Sequence, residues 1–386
     1  VVKQFGRLTA YCLYKKPFSV MGDVLQKTLT LLLLIGLGLL LRTKFKSKAQ
    51  TDGIKEMVLS VALPATIFIA LMKIQVDITL LLVPIVTLIF NFFMYFTLPF
   101  VLPVFGVEKN STTGRTLMML LPSLAPGLSC FPFIAEFLGE KSLAMAAMAD
   151  VGNKFFVLIF LYVVAMNMFL KNSSGAKVKM GQKIKSLLAN LIKEPINVII
   201  VAAILLLSVG LNYKSLPPVV ADVFDKTSAM MTPLVLIFIG LAVQLKEGNK
   251  RLVMSILLFR AGLTMLFSAL FIAFTGIIEP TLVLLAVVLP LSSASFWPFA
   301  HISAFNLREE NKEVAKEKRT FDMELSVLVL AFSLPFSTLL ILGILSVGTF
   351  FTHLPTLIVT GLLFIGSGIG VSLLGKINLK LSKARA

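Results

Sequence analysis

Two phrases far apart in the chain, Ser129-Cys130-Phe131-Pro132-Phe133 and Ser295-Phe296-Trp297-Pro298-Phe299, place hydroxyls, a thiol and aromatic rings beside prolines. Each has a second proline upstream, Pro126 and Pro290. Inside an apolar segment proline removes a backbone donor and frees carbonyls, while Gly127 lets another chain pass close. The amino end of a half-helix then directs positive partial charge at an anion, and Ser129, Ser292, Ser293 and Ser295 add hydroxyl donors. One such segment alone reads equally well as a proline kink. A matched pair favours two unwound segments that cross and form a transport site, because unwound backbone is tolerated in a bilayer only where it is buried in protein or lines a watery cavity.

Ionisable groups inside apolar runs need a partner or a purpose, since each costs roughly 2.5–3.5 kcal/mol at a helix centre. Arg260 sits deep in its run, where an arginine either pairs with a carboxylate or holds an anionic substrate. Asn91 is comparably deep. Asp150 and Lys154 are four residues apart, on one helical face, with Asn153 beside them. They form either a static neutral pair or a cluster that supports the crossing and exchanges a proton. His301 titrates near neutral pH and is a candidate proton sensor, the plainer alternative being a helix-end side chain facing water. Trp297, the only tryptophan, falls mid-segment instead of at an interface, where it stacks on a flat substrate or packs between helices. No HExxH, GxSxG or Walker sequence is present, and two histidines and two cysteines do not build a typical zinc site. The chain therefore reads as a non-enzyme without a cofactor, and any active transport draws on an ion gradient or the membrane potential.

The elements that carry these residues are membrane-spanning. At 57% hydrophobic and 14% charged, the chain is too apolar for a soluble domain of 386 residues. Eleven apolar runs can be read, at 22–41, 54–73, 78–106, 115–138, 142–170, 196–213, 220–245, 252–277, 280–304, 321–348 and 354–375, each enough to cross a core of about 30 Å. Nothing alternates as in an outer-membrane barrel. The net charge of +17 would suggest nucleic acid in a soluble protein. Here the basic residues collect in loops on one side of the helices, and nucleic acid is excluded as a partner in favour of membrane lipid. By the positive-inside rule that side is cytoplasmic, placing the amino terminus outside and the carboxyl terminus inside a multi-pass protein of the cell membrane. Lys3, Arg7, Lys15 and Lys16 disagree with this count, and residues 1–20 are read as an N-terminal extension lying at the interface.

A basic linker, 171–195, with six lysines, divides two groups of five runs, 21–170 and 196–348. An odd number per half makes the second half enter from the opposite side, so a shared fold is an inverted repeat. Pro64 and Pro233, Pro132 and Pro298, and Asp150 and Asp322 stand 169, 166 and 172 residues apart in similar surroundings, as in a duplicated unit. The first offset also pairs Asn91 with Arg260.

Leu59 to Phe68 around Pro64, Gly127 to Pro132 with Phe137-Leu138-Gly139-Glu140, Asp150-Val151-Gly152-Asn153, Pro233 to Gly240, and Leu289-Pro290 to Pro298 resemble, in order and spacing, the auxin efflux carrier family of plant PIN carriers and bacterial permeases. The resemblance runs from about Met21 to about Leu345. It implies an all-α integral membrane protein of ten helices in two inverted five-helix repeats, a scaffold and a transport domain, two broken helices crossing near the midplane, and transport of a small organic anion. Two features depart from it: residues 1–20, and an eleventh run with a basic tail in 349–386, for which packing or a homodimer contact is the expected role. The function expected is a secondary active carrier working by alternating access, driven by protons or the membrane potential. The alternatives are sodium-coupled symport of the bile-acid-symporter type, with Asp150 and Asn153 the clear oxygen-rich pair, and a ligand sensor without flux.

Overall fold

A computed structural model describes residues 16–45, 47–74, 78–172, 180–242 and 249–385. Residues 1–15 of the N-terminal extension, part of the linker, and Lys246 lie outside the described residues. Everything described is helix, turn or coil, and the chain is an α-helical multi-pass membrane protein.

In chain order the helices are α1 (Lys16–Leu41), α2 (Lys48–Met57), α3 (Leu63–Met72), α4 (Ile78–Val101), α5 (Thr112–Leu120), the single turn α6 (Pro126–Ser129), α7 (Phe131–Phe137), α8 (Gly139–Phe155) and α9 (Leu161–Asn172). There follow α10 (Met180–Lys193), α11 (Pro195–Ser208), α12 (Pro218–Ala229), α13 (Met231–Ala242), α14 (Lys250–Thr275), α15 (Pro280–Val288), α16 (Phe296–Glu310), α17 (Met323–Ser346) and α18 (Leu354–Arg385). The π turns Val58–Ala62 and Phe156–Phe160 join α2 to α3 and α8 to α9 without a change of direction.

Among the described residues eight helical spans are long and apolar enough to cross a membrane. The other three apolar runs differ for identifiable reasons. Helix α11 stops at Ser208 after 14 residues, about 21 Å, short of a full hydrocarbon core. The runs at 115–138 and 280–304 are interrupted. Large apolar side chains such as Leu33, Phe100, Phe274 and Ile278 stand on the outside, as a lipid solvent permits.

The interior is layered. One hydrophobic cluster takes residues such as Leu71, Phe133, Ala147, Val235, Met265, Val288 and Ile341, and a second takes Leu117, Val157, Phe169, Ile256, Ile302 and Val329. Helix α14 passes from one to the other between Leu257 and Ala261, and Arg260 lies in that gap. Asn91, Ser123, Asn153, Ser292 and Ser293 are buried within the same polar layer. Its polar groups must satisfy one another, because the apolar clusters on either side offer no partners.

The described helices fall into two packing groups that share the first hydrophobic cluster and meet where α3 lies on α8. In one, α1 packs on α13, and α3 packs on α11 and α12. In the other, α4 packs on α8, α9 on α16, and α18 along α14. The linker contains a helix, and the expected position of the breaks is corrected. Within the linker, Met180–Lys193 is helical, its apolar Leu187 buried in the second cluster. The longer unwound stretches, 121–125 and 289–295, lie mostly upstream of the Pro132 and Pro298 phrases, although Ser295 ends the second and the helix is also interrupted at Cys130 inside the first phrase. Pro132 and Pro298 occupy the first turns of α7 and α16, where a missing N–H has no partner to lose. The prolines that open the breaks are Pro122 and Pro290, each following a leucine.

Helix α18 lies on α14 at backbone contact. A Cβ on Gly368 would come within 2.6 Å of the Ser255 carbonyl, and one on Gly262 within 2.4 Å of the Gly361 carbonyl. The Ser255 hydroxyl also donates to the Gly368 carbonyl. Small residues at these positions make the close approach available, as between membrane helices generally.

Candidate functional site

The two unwound stretches meet. The Ala125 N–H donates to the Ser293 carbonyl at 2.8 Å. Ser129 Oγ accepts from the Ser293 N–H at 3.0 Å, and Ser123 Oγ from the Ser295 N–H at 2.9 Å. Both hydroxyls hand their own protons back along the chain, to Ala125 and Leu120. Ser333 Oγ accepts from the Ala294 N–H at 3.3 Å. Donors freed by one break are thus taken up largely by the serines and backbone of the other, which is what permits unwound chain at this depth.

Two further side chains complete the crossing. Arg260 donates through Nε to the Leu121 carbonyl at 2.8 Å, through Nη1 to Ser292 at 2.9 Å and through Nη2 to Ser123 at 3.1 Å. It therefore bridges both breaks. Asn153 imitates a peptide partner for Leu124: Oδ1 accepts its N–H at 3.1 Å and Nδ2 donates to its carbonyl at 2.8 Å. Asn91 Nδ2 donates to the same Oδ1 at 3.0 Å. Gly152 makes this geometry possible, since a Cβ there would come within 2.1 Å of the Pro84 carbonyl and hold α8 away from α4.

A cavity of about 400 Å³ opens against the crossing. Its walls are Asp52, Lys55, Glu56, Leu59 and Leu63 of the α2–α3 rod, Leu124 to Leu128 of the first break, Asp150, Asn153 and Lys154 of α8, Glu194 and Ile196 at the start of α11, and Ser295, Phe296 and Trp297 of the second break. The Lys154 ammonium stands 3.3 Å from Asp150 and 2.9 Å from Glu194, and is 6% exposed. The Lys55 ammonium rests 4.3 Å from the centre of the Phe296 ring, a cation–π contact between the two packing groups. Helix α7 leads away from this cavity to a second, of about 740 Å³, lined by Lys27, Glu136, Ser228 and Pro233. There Lys27 donates to the Glu136 carbonyl at 2.9 Å; outside that cavity, Lys73 pairs with Glu140 at 2.7 Å.

The residues singled out in the sequence thus divide. Pro126, Gly127, Ser295, Trp297, Asp150, Asn153 and Lys154 line the cavity. Ser129, Ser292, Ser293, Asn91 and Arg260 lie behind it and hold the crossing together. Cys130 is buried with its thiol directed at the Val288 carbonyl, 3.6 Å away. Pro132 and Pro298 are buried in their helices, and Pro290 borders a separate apolar cavity between α4, α14 and α15. His301 is neither a cap nor solvent-facing: it is buried, with Nε2 2.9 Å from the Val157 carbonyl in the π turn and its ring edge-on to Tyr162.

Glu194 was not among the expected site residues. It is the N-cap of α11, just outside the apolar helix, and the shortness of α11 brings it to the depth of Lys154. Burial holds its carboxyl above the usual carboxylate range, with Lys154 opposing that shift. The signal was present in composition, for Glu194 is the sole carboxylate among the six lysines of the linker. No protein-family model matches the chain, and no curated protein is significantly similar to it.

Proposed function

We propose that the chain is a secondary active carrier of a small organic anion, built like the auxin efflux carriers from two inverted five-helix repeats with two broken helices, plus an eleventh helix, α18, laid against α14. The observation that carries this is the pair of unwound stretches hydrogen-bonded to each other, Ala125 to Ser293 and Ser295 to Ser123, at the wall of a cavity. Irregular backbone at that depth is retained in membrane proteins where it serves a binding site or pathway.

Local features recurring at the repeat offset support the inverted arrangement. Pro122 and Pro290 open the breaks 168 residues apart. Asn91 and Arg260, 169 apart, both serve the breaks, Asn91 through Asn153 and Arg260 directly. The second helix of each half is irregular just before its proline, in the π turn ahead of Pro64 and at Met230 ahead of Pro233. In this reading α1, α2–α3, α11, α12 and α13 are the scaffold, and the group holding both breaks rocks against it. The cavity is open toward the basic, cytoplasmic side, with the Lys27 and Lys73 ion pairs closing the other. The amino terminus lies outside and the carboxyl terminus inside the cell membrane. Protons or the membrane potential drive transport. Sodium coupling is the weaker alternative, because Asn153 Oδ1 already accepts from Leu124 and Asn91.

Flux measured in proteoliposomes of purified protein, with a trans-membrane pH difference or potential applied, tests the proposal. Uptake of a radiolabelled carboxylate that responds to either gradient is expected. Ligand binding without flux in correctly oriented vesicles refutes the carrier and favours a sensor.

A further inference from the structure

We propose that Lys154 is the anion-binding group of this cavity and that Glu194 is a resident carboxylate which the carboxylate of a substrate replaces. The proposal rests on the carrier reading and names the group that receives the substrate.

Three observations carry it. First, Arg260 does not line the cavity: each of its three nitrogens meets a carbonyl, of Leu121, Ser123 or Ser292, behind the wall. The buried cation that faces the cavity is Lys154. Second, its two carboxylate neighbours are not equivalent. Asp150 is on the same helix and is fixed by a 2.9 Å hydrogen bond from Asn153, whereas Glu194 reaches over from the other packing group and is 20% exposed. Third, the cavity is rich in carboxylates. Asp52 and Glu56 stand opposite on α2, together with Lys55, so the lining counts four carboxylates against two ammonium groups. An extra anion would be repelled, but one that takes the place of Glu194 on Lys154 leaves the buried charge unchanged.

Glu194, once displaced, is left beside Asp150, Asp52 and Glu56 with its cation taken, and Asn197 on α11 is its other polar neighbour. It is neutralised by taking a proton from the cytoplasmic solution. One proton is then bound for each carboxylate, and the ion pair between the two helix groups opens as the substrate arrives. Substrate binding and release of the two groups are the same event.

Trp297 lines the cavity and is the single tryptophan of the chain, so its fluorescence reports occupancy. Acetate, malonate and phenylacetate are titrated into purified protein in detergent, from about pH 5 to about pH 8. At least one is expected to bind, with a Kd that weakens by up to ~10-fold per pH unit as Glu194 ionises and competes. Glu194→Gln should tighten binding about 10-fold or more at neutral pH and flatten that dependence, because Lys154 is then always available. Lys154→Arg should retain binding and Lys154→Met should abolish it. If Lys154→Met does not elute as a folded species, Glu194→Gln decides alone. Equal affinity and equal pH dependence in Glu194→Gln and wild type overturn the proposal, as does failure of all three carboxylates in both proteins. Flux in proteoliposomes separates the two claims. Transport that persists with unaltered affinity in Glu194→Gln removes the displacement and keeps the carrier, whereas the expected binding pattern without flux keeps Lys154 as the anion site and removes the carrier.

Discussion

Replacing Arg260 by methionine separates a clamp from a ligand. The guanidinium makes three hydrogen bonds, at 2.8, 2.9 and 3.1 Å, to carbonyls that have no helical partner because their segments are unwound. Bonds to a charged group contribute about 1.5–3 kcal/mol each, so three amount to roughly 5–9 kcal/mol if they act independently. Methionine no longer requires burial of a charge, which recovers about 2.5–3.5 kcal/mol on the membrane-insertion scale. A net loss of about 2–6 kcal/mol remains, in the range of disrupting a buried network. Unfolding in mixed micelles, followed by Trp297 fluorescence, measures it. Arg260→Lys keeps the charge but cannot reach three carbonyls at once, and should fall between methionine and wild type. A stability within ~0.5 kcal/mol of wild type together with a tenfold loss of anion affinity would show that Arg260 contacts substrate and that the breaks hold themselves.

Other substitutions test neighbouring parts of the structure. Asn153→Ala leaves both backbone groups of Leu124 without their partner and should cost about 2–4 kcal/mol, read in the same unfolding assay. Gly368→Val drives a side chain into the Ser255 carbonyl and should lower stability by about 1–3 kcal/mol, while Gly366→Ala, which has open space around its Cβ, should be silent. Equal effects would mean that α18 does not seat on α14 through these glycines. Stability against pH should carry a Glu194 signature. Its folded carboxyl lies above the ordinary 4.5, so its contribution is complete below that value and fades as pH rises through the raised one. Glu194→Gln should flatten this window, and an unchanged slope would assign it to another group.

The apolar runs were legible because hydrocarbon selects for length and composition, and every run has a helical counterpart in the fold. The exact position of the breaks was not legible from the repeated phrase. Pro132 and Pro298 draw attention because their neighbours match, yet both open the helix that follows, with only the single interruption at Cys130 inside the first phrase and the longer unwound chain lying further upstream. Pro122 and Pro290 were the better pair, being preceded by leucine at equivalent positions. The helix of the linker was hidden by its lysines, though its apolar residues have helical spacing. Ser129, expected as a ligand donor, has its hydroxyl engaged by the backbone on both sides, because a freed N–H nearby competes for it.

These allocations bear on what can move. Arg260 ties Leu121 and Ser123 of one break to Ser292 of the other, and Ser123 and Ser129 stitch the same two stretches. Separating the breaks would expose several buried polar groups at once, each costing about 1–3 kcal/mol, so the crossing holds together as a unit. Besides the shared apolar cluster, ion pairs join that unit to the other helix group. Lys27–Glu136 and Lys73–Glu140 are exposed pairs, worth about 0–1 kcal/mol each. Lys154–Glu194 is the pair among them that is shielded from water on the lysine side, and breaking it without a replacement anion leaves the buried ammonium with Asp150 alone, which costs more than breaking either exposed pair. The polar layer is therefore rigid where it holds the backbone and exchangeable where it meets Glu194. In the carrier proposed above, an anion acts at that second place, since it is there that a ligand can alter the balance between two arrangements of the helices.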